Sequence, residues 1–217
     1  NMDTTRLYTL FRSELADVAE PYLWADDEVF HYADEAQKKF CRLTDGIADA
    51  GTPAVTQVAV TAGNPWVSIS PLIRKIRGIN GADGRYIDPE NYEDFQKRGI
   101  KLDARTGAPE ILILGMQENK ARAYPVPAAD ETLELLVYRL PIKALDDFDQ
   151  KIEIAEQHHT ALLLWMKHMA YSKQDAETFD KTKAAEFEVA FEKYCYNAQK
   201  EKNTSKHKAR SVAYGGL

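Results

Sequence analysis

The sequence predicts an α+β protein: a helical bundle formed by the N- and C-terminal thirds, with a β-rich insertion between them and an extended C-terminal tail. Three observations carry this. Two polar-headed helical segments, one beginning at Asp26 and one near His158, bracket a middle of roughly ninety residues whose short β-branched runs follow strand periodicity. That middle also holds most of the chain's prolines and glycines. Finally, beyond residue 198 the apolar period disappears and basic residues take over.

The 217 residues, 44% of them hydrophobic, suffice for one large domain or for a core domain plus an insertion. The expected division is 1–53 with 142–198 as the helical core, 54–141 as the insertion and 199–217 as the tail. The first helix is expected over Asp3 to Glu20, where Leu7, Leu10, Phe11, Leu15 and Val18 recur at three- and four-residue steps. Asp3 serves as its cap and Pro21 limits it. In the second helix Asp26 or Asp27 bonds the first free amides, and Val29, Ala33, Ala36, Phe40, Leu43 and Ile47 form the buried stripe. Gly51 and Pro53 then end helical structure.

Strands are expected at Val55 to Thr61, Trp66 to Ile79, Ile111 to Met116, Arg122 to Val126 and Thr132 to Leu140. Asn80-Gly81 and Asp83-Gly84 predict a tight turn, and Tyr92 to Lys97 one helical turn. Pro125 and Pro127 confine their segment to an edge or strand end. After Pro141, the run Ala161 to Met166 is apolar nearly all round, which marks a helix covered on several sides, with Trp165 in the core. Ala184, Phe187, Phe191, Tyr194 and Ala198 line one face of the last helix.

The net charge of −6 and pI near 5.5 argue against a dedicated nucleic-acid binder. The charge is uneven, because residues 199–217 carry +4 and the remainder −10. Cys41 and Cys195 stand alone in apolar helical patterns, which reads as buried free thiols. The sequence lacks a signal-like N-terminal stretch and any apolar run of about eighteen residues, so a soluble protein of a reducing compartment is expected.

Two Glu-x-x-His pairs, Glu28 with His31 and Glu156 with His159, have the spacing that di-iron bundles use. Both sit at helix starts, where the macrodipole favours acid without a metal, and the inward helix faces are apolar, so no metal and no cofactor are expected. Of His158 and His159, one is expected to hydrogen-bond and the other to be exposed. His168 and His207 read as isolated structural residues. Gly78 to Gly84 lacks the Lys-Ser/Thr of a phosphate loop and reads as a turn. No catalytic signature is present, and the chain is not expected to be an enzyme.

The segment Trp24-Ala25-Asp26-Asp27-Glu28-Val29-Phe30-His31-Tyr32-Ala33-Asp34-Glu35-Ala36 resembles the tryptophan, acidic helix start and Tyr-x-x-Glu-Ala run of head-to-tail adaptor (connector) proteins of tailed bacteriophages. His159-Thr160-Ala161-Leu162-Leu163-Leu164-Trp165-Met166, running into Ala170-Tyr171 and an acidic loop through Thr178, is similar to the ending of the same family. Leu135-Leu136-Val137-Tyr138-Arg139-Leu140-Pro141 resembles the strand that closes its β insertion.

This resemblance implies a virion structural protein, made in the host bacterial cytoplasm and placed at the portal vertex. There it would form a homo-oligomeric ring, commonly of twelve copies, between the portal protein and a tail or neck protein. Double-stranded DNA would pass through without sequence specificity. Asp146, Asp147 and Asp149 are candidates to line the channel, where like charge lets the duplex slide. Trp66, following Asn64-Pro65, is a candidate interface aromatic. The candidate portal-binding tail comprises Lys200, Lys202, Lys206, Lys208 and Arg210, with Val212, Tyr214 and Leu217 as apolar anchors. Alternative readings are a neighbouring neck or tail-completion protein, a metal-binding helical-bundle enzyme, and a basic-tail nucleic-acid-binding regulator.

Overall fold

A computed structural model describes residues 2–174 and 177–207. It is a mixed α+β protein, with six α-helices and one large curled sheet among the described residues. The chain divides into two compact units, one drawn from its two ends, up to Gly46 and from Pro141 onward, and the other from Ile47–Leu140.

In the first unit, helix α1 spans Thr4–Glu14, and the Asp3 carboxylate accepts the Arg6 N–H at 2.9 Å. The helix stops six residues short of the expected Glu20. Ala16 takes a left-handed φ of +54°, which turns the chain so that Asp17 is buried and Val18 faces solvent. Off the helix, Asp17 accepts from the buried Arg12 and from the N–H groups of Leu23 and Trp24, partners that a continuing helix would deny it.

Helix α2 covers Asp26–Leu43, with Val29, Ala33, Ala36 and Phe40 buried as expected. Asp27 accepts from the Glu28 N–H, while the Glu28 carboxylate reaches back to the Ala25 N–H. Asp26 instead faces Arg12 and Tyr8. The helix ends before Gly51 and Pro53, because Thr44 closes on the Phe40 carbonyl and Gly46 turns left-handed at φ +90°. Leu43 is therefore exposed and Ile47 belongs to a strand.

A 3₁₀ turn, Glu156–Ala161, leads into α5 (Leu162–Tyr171), which packs on α1, α2 and α6 (Lys181–His207). Leu162, Leu163, Met166 and Ala170 are buried, whereas Trp165 is only half-buried, between Lys39, His168 and Phe191. Of the α6 stripe, Ala184 and Phe191 are buried, joined by Cys195. The expected unstructured tail is corrected in its first half, since α6 runs without a break to His207. Lost apolar periodicity is offset there by polar contacts: Gln199 accepts the Asp45 N–H, Lys202 donates to the Gly46 carbonyl and Lys206 pairs with Asp45.

The second unit begins with β1 (Ile47–Asp49) and a short helix α3 (Pro53–Thr56), so β2 starts only at Gln57 and runs to Val60. Pro53 at the first helical position makes a helical turn of what β-branched residues suggested was strand. The expected Trp66–Ile79 strand is two, β3 (Trp66–Ser68) and β4 (Ile73–Asn80), divided by a turn in which the Ile73 N–H meets the Ser70 carbonyl. After β5 (Tyr86–Asn91) come α4 (Tyr92–Gln96), β6 (Thr106–Gly107), β7 (Ile111–Gln117), β8 (Lys120–Tyr124), β9 (Val126–Pro127) and β10 (Glu131–Arg139).

The main sheet has the order β1-β10-β4-β5-β7-β8-β3, with β2 also on β10, and only the β5–β7 pair is parallel. Pro127 lies in the separate two-stranded β6–β9 pair, in keeping with its lost N–H. Val58, Val60, Val67, Ile79, Ile87, Leu112, Leu133 and Val137 point inward to one core. Ile111, Ile113 and Tyr124, on the opposite face, pack on Phe95 of α4.

Candidate interaction surfaces

One end of the first unit is organised by a buried cation. Arg12 pairs with Asp17, donates to the Trp24 carbonyl at 2.5 Å and to Asp26 at 2.9 Å, and lies against the rings of Tyr8 and Tyr22. The fully buried Trp24 meets Phe11 edge-on. Burial of a guanidinium is costly unless its donors are met; two carboxylates and a carbonyl meet the two Nη groups here, while Nε is buried without a hydrogen-bond partner among the described residues. Tyr8 donates to Asp26 at 2.5 Å, and burial followed by this bond raises its pKa.

The Tyr8 ring stacks on Phe30, and Phe148 touches both edge-on. Phe148 anchors the acidic loop. Gln150 accepts the N–H groups of Asp146 and Asp147 and donates back to Asp146, while Thr5 and Asp149 exchange two hydrogen bonds at 2.9 and 3.0 Å. Asp146, Asp147 and Asp149 are thus held on a built loop with all three residues exposed. Sequence spacing suggested only the charges; Thr4, Thr5 and Gln150, which shape the loop, carry no local signal.

The basic residues collect beside the C-terminal end of α2, about 14–20 Å along the helix from Asp34 and Phe30, which the acidic loop touches. Lys200 is exposed over the Tyr196 ring, and Lys202 and Lys206 lie beside the α2 terminus, on Gly46 and Asp45. Burial alone would raise the Asp45 carboxyl, but hydrogen bonds from Gln199 and Lys206 lower it. Cations suit the negative end of a helix dipole. Lys208, Arg210, Val212, Tyr214 and Leu217 lie outside the described residues.

In the second unit, Trp66 is half-buried, with Arg122 over its ring at 5.5 Å and Asp103 paired to Arg122. A cleft of about 540 Å³ opens beside Trp66 between β2 and β3. Of the Gly78 to Gly84 segment the first three residues end β4 and Gly81 to Gly84 form the expected turn, with Gly84 at φ +83° and the Glu131 carboxylate accepting the Ala82 N–H at 2.8 Å. Arg85 closes the turn onto Glu131. A carboxylate seated on those amides is opposite to what a phosphate loop offers.

The Glu-x-x-His residues are not brought together. Glu28 binds Lys173 and the Ala25 N–H, and His31 is exposed on α2. His159 is buried on the Ile154 carbonyl. Among the described residues no three His, Cys, Asp or Glu side chains are grouped to hold a metal ion. Neither of the two adjoining histidines is exposed, where one was expected to be, since His158 Nδ1 lies 2.8 Å from the Tyr194 hydroxyl and its ring on Phe40. Burial, then the neighbouring His159, lowers its pKa. His168 is likewise engaged, with the Ala184 carbonyl.

These features are a built acidic loop, a basic helix end and a β unit with an open cleft. Comparison with known families finds a match to the SU10 adaptor protein model over residues 2–211. The chain belongs to the SU10 adaptor protein family. No curated protein matches it. Membership makes the adaptor a phage structural protein and a virion component, and implies interaction with phage portal and tail proteins. No helix among the described residues is long and apolar enough to cross a membrane.

Proposed function

We propose that this adaptor forms a ring, commonly of twelve copies in such assemblies, under the portal, where it extends the DNA channel and presents the docking surface for the tail. The family match over residues 2–211 carries the reading. In it, residues 1–53 and 142–198 act as the adaptor core and 54–141 as an insertion that meets neighbours. A closed ring needs a heterologous contact, one surface of each subunit against a different surface of the next. Trp66 is assigned to such a contact, as a half-exposed aromatic held by Arg122.

The separation of charge supports different roles for the acidic loop along α2 and the basic helix end at its C-terminus. Asp146, Asp147 and Asp149 line the channel, where they repel phosphate and keep the duplex from sticking. Lys200, Lys202 and Lys206, continued by Lys208 and Arg210, meet an acidic face of the portal, with Tyr214 and Leu217 as apolar anchors.

Particles assembled without this polypeptide test the reading. Loss of packaged genome and failure to join tails are expected, and normal retention and joining would refute it. Lys200→Glu with Lys206→Glu should weaken co-sedimentation with purified portal by at least tenfold. Asp146→Asn with Asp149→Asn should leave portal binding intact and slow DNA ejection.

A further inference from the structure

The chain has two cysteines, Cys41 in α2 and Cys195 in α6, and both are reduced and fully buried. Far apart in sequence, they hold matched positions where the two helices pack. The residues just before them, Phe40 and Tyr194, meet the same His158: the two ring centroids of Phe40 and His158 are 4.9 Å apart, and the Tyr194 hydroxyl lies 2.8 Å from Nδ1. Four residues on from each cysteine, the Asp45 N–H donates to Gln199 at 2.8 Å. Both chains climb from the first of these contacts to the second in the same direction, so one turn back from Asp45 and Gln199 stand Cys41 and Cys195. The Cys41 sulfur also acts on the Cys195 thiol, which burial first and then this neighbour push up.

We propose that Cys41 and Cys195 are a thiol pair that closes to an intramolecular disulfide and staples α2 to α6. Packed helix axes run about 8–10 Å apart and Cα atoms ride about 2.3 Å out, so facing residues come within the roughly 4–7 Å that a disulfide spans. A cysteine that only fills core space, as a small apolar side chain, has no need of another beside it. Here the two that the chain possesses meet between the same pair of contacts.

With a small disulfide such as oxidised glutathione as oxidant, one cysteine thiolate attacks it and expels a glutathione thiolate, and the second cysteine then displaces the other from the mixed disulfide. One protein S–S bond forms, the glutathione S–S bond breaks, and the two cysteine protons end on the two glutathione thiolates. The consequence lies in the chain's connectivity. The helical unit is drawn from both ends of the chain, with α2 before Ile47–Leu140 and α6 after it. A bond between them closes a loop that contains the whole second unit, and long closed loops restrict the unfolded chain most. A virion component passes from the reducing interior of a cell to an oxidising exterior, where such a bond persists. Burial makes the staple slow to form in the folded protein and equally slow to reverse.

The test refolds the full-length chain from urea in buffers of reduced and oxidised glutathione and reads the pair by intact mass and peptide mapping. A fold that holds the thiols together favours the disulfide, so the refolded chain should keep it at a reduced-to-oxidised ratio about a hundredfold higher than the chain in concentrated urea does. Closing it should raise the melting temperature by roughly 5–15 °C, and reduction after unfolding should abolish the rise. Cys41→Ala and Cys195→Ala should each show no such rise. Equal ratios in the folded and urea-unfolded chain would overturn the proposal, as would a stable glutathione adduct on one cysteine, disulfide-linked dimers, or the same rise in either single variant. Where the chain does not refold, native protein held in the same buffer just below its melting temperature decides: loss of two hydrogens supports the pair, and two retained thiols refute it.

Discussion

Asp17→Ala should unfold the helical unit far more readily than its place in a loop suggests. The residue accepts three hydrogen bonds, from the buried Arg12 guanidinium and from the N–H groups of Leu23 at 2.8 Å and Trp24 at 3.3 Å. Removing one partner of a buried ion pair costs about 3–5 kcal/mol, because the remaining charge stays out of water. Arg12 keeps the Trp24 carbonyl and the half-exposed Asp26, which argues for the low end, about 3 kcal/mol. For a chain of this size that lowers the melting temperature by roughly 6–12 °C. Trp66→Phe in every variant leaves Trp24 and Trp165, both in the helical unit, as fluorescence reporters of urea unfolding. Replacing the pair together, as Arg12→Met with Asp17→Leu, should recover part of the loss, since no charge is then stranded. A cost below about 1 kcal/mol for Asp17→Ala would refute the assignment of this network as the clasp between α1 and α2.

Three further outcomes follow from particular contacts. Burial alone would raise the Asp49 carboxyl, but the Arg139 guanidinium and hydrogen bonds from Gly51 and Thr52 hold it at about 2. Its folded pKa lies below the unfolded value, so its contribution is complete above pH ~4 and is lost as pH falls toward 2. It amounts to roughly 2 kcal/mol, and Asp49→Asn should flatten an acid titration of stability across that window. Burial, and then the nearby Cys41, push the Cys195 thiol up to about 12, so folded protein at pH 8 should leave Cys195 unlabelled by iodoacetamide until denaturant is added. A Cβ at Gly81 would sit 2.7 Å from both Arg85 Nη1 and Glu131 Oε1, the ends of flexible side chains, so Gly81→Ala should cost only what their displacement loses, the Glu131 bond to the Ala82 N–H and the Arg85 pair, about 1 kcal/mol in urea melts.

Helices were legible wherever apolar residues kept a 3.6-residue period. The α2 stripe from Val29 to Phe40 and the α6 stripe from Ala184 to Ala198 are both found, and Asn80-Gly81-Ala82-Asp83-Gly84 makes the expected turn. Helix ends were less legible. Val18 and Ile47 keep the period but leave the helix, because Asp17 finds Arg12 and because Gly46 turns the chain before Ile47 pairs with Arg139. β5 escaped notice since Tyr86-Ile87-Asp88-Pro89-Glu90-Asn91 contains a proline and three polar residues. It owes its strand to parallel pairing with β7.

The candidate surfaces divide along the same line. Sequence alone determined the inventory: which segments could bury a face, an acidic loop near residue 147, a basic end after residue 198, and the motifs of an adaptor. Tertiary structure alone decided where those charges act. It laid the acidic loop along α2 from Phe30 to Gln37 and the basic helix end at the α2 C-terminus, made 199–207 helical through Asp45 and Gly46, and left a cleft between β2 and β3. The reason is physical: periodicity is written between neighbours in the chain, whereas Arg12 with Asp17, Thr5 with Asp149, and one sheet edge with another are matched by contacts that close only when the chain folds.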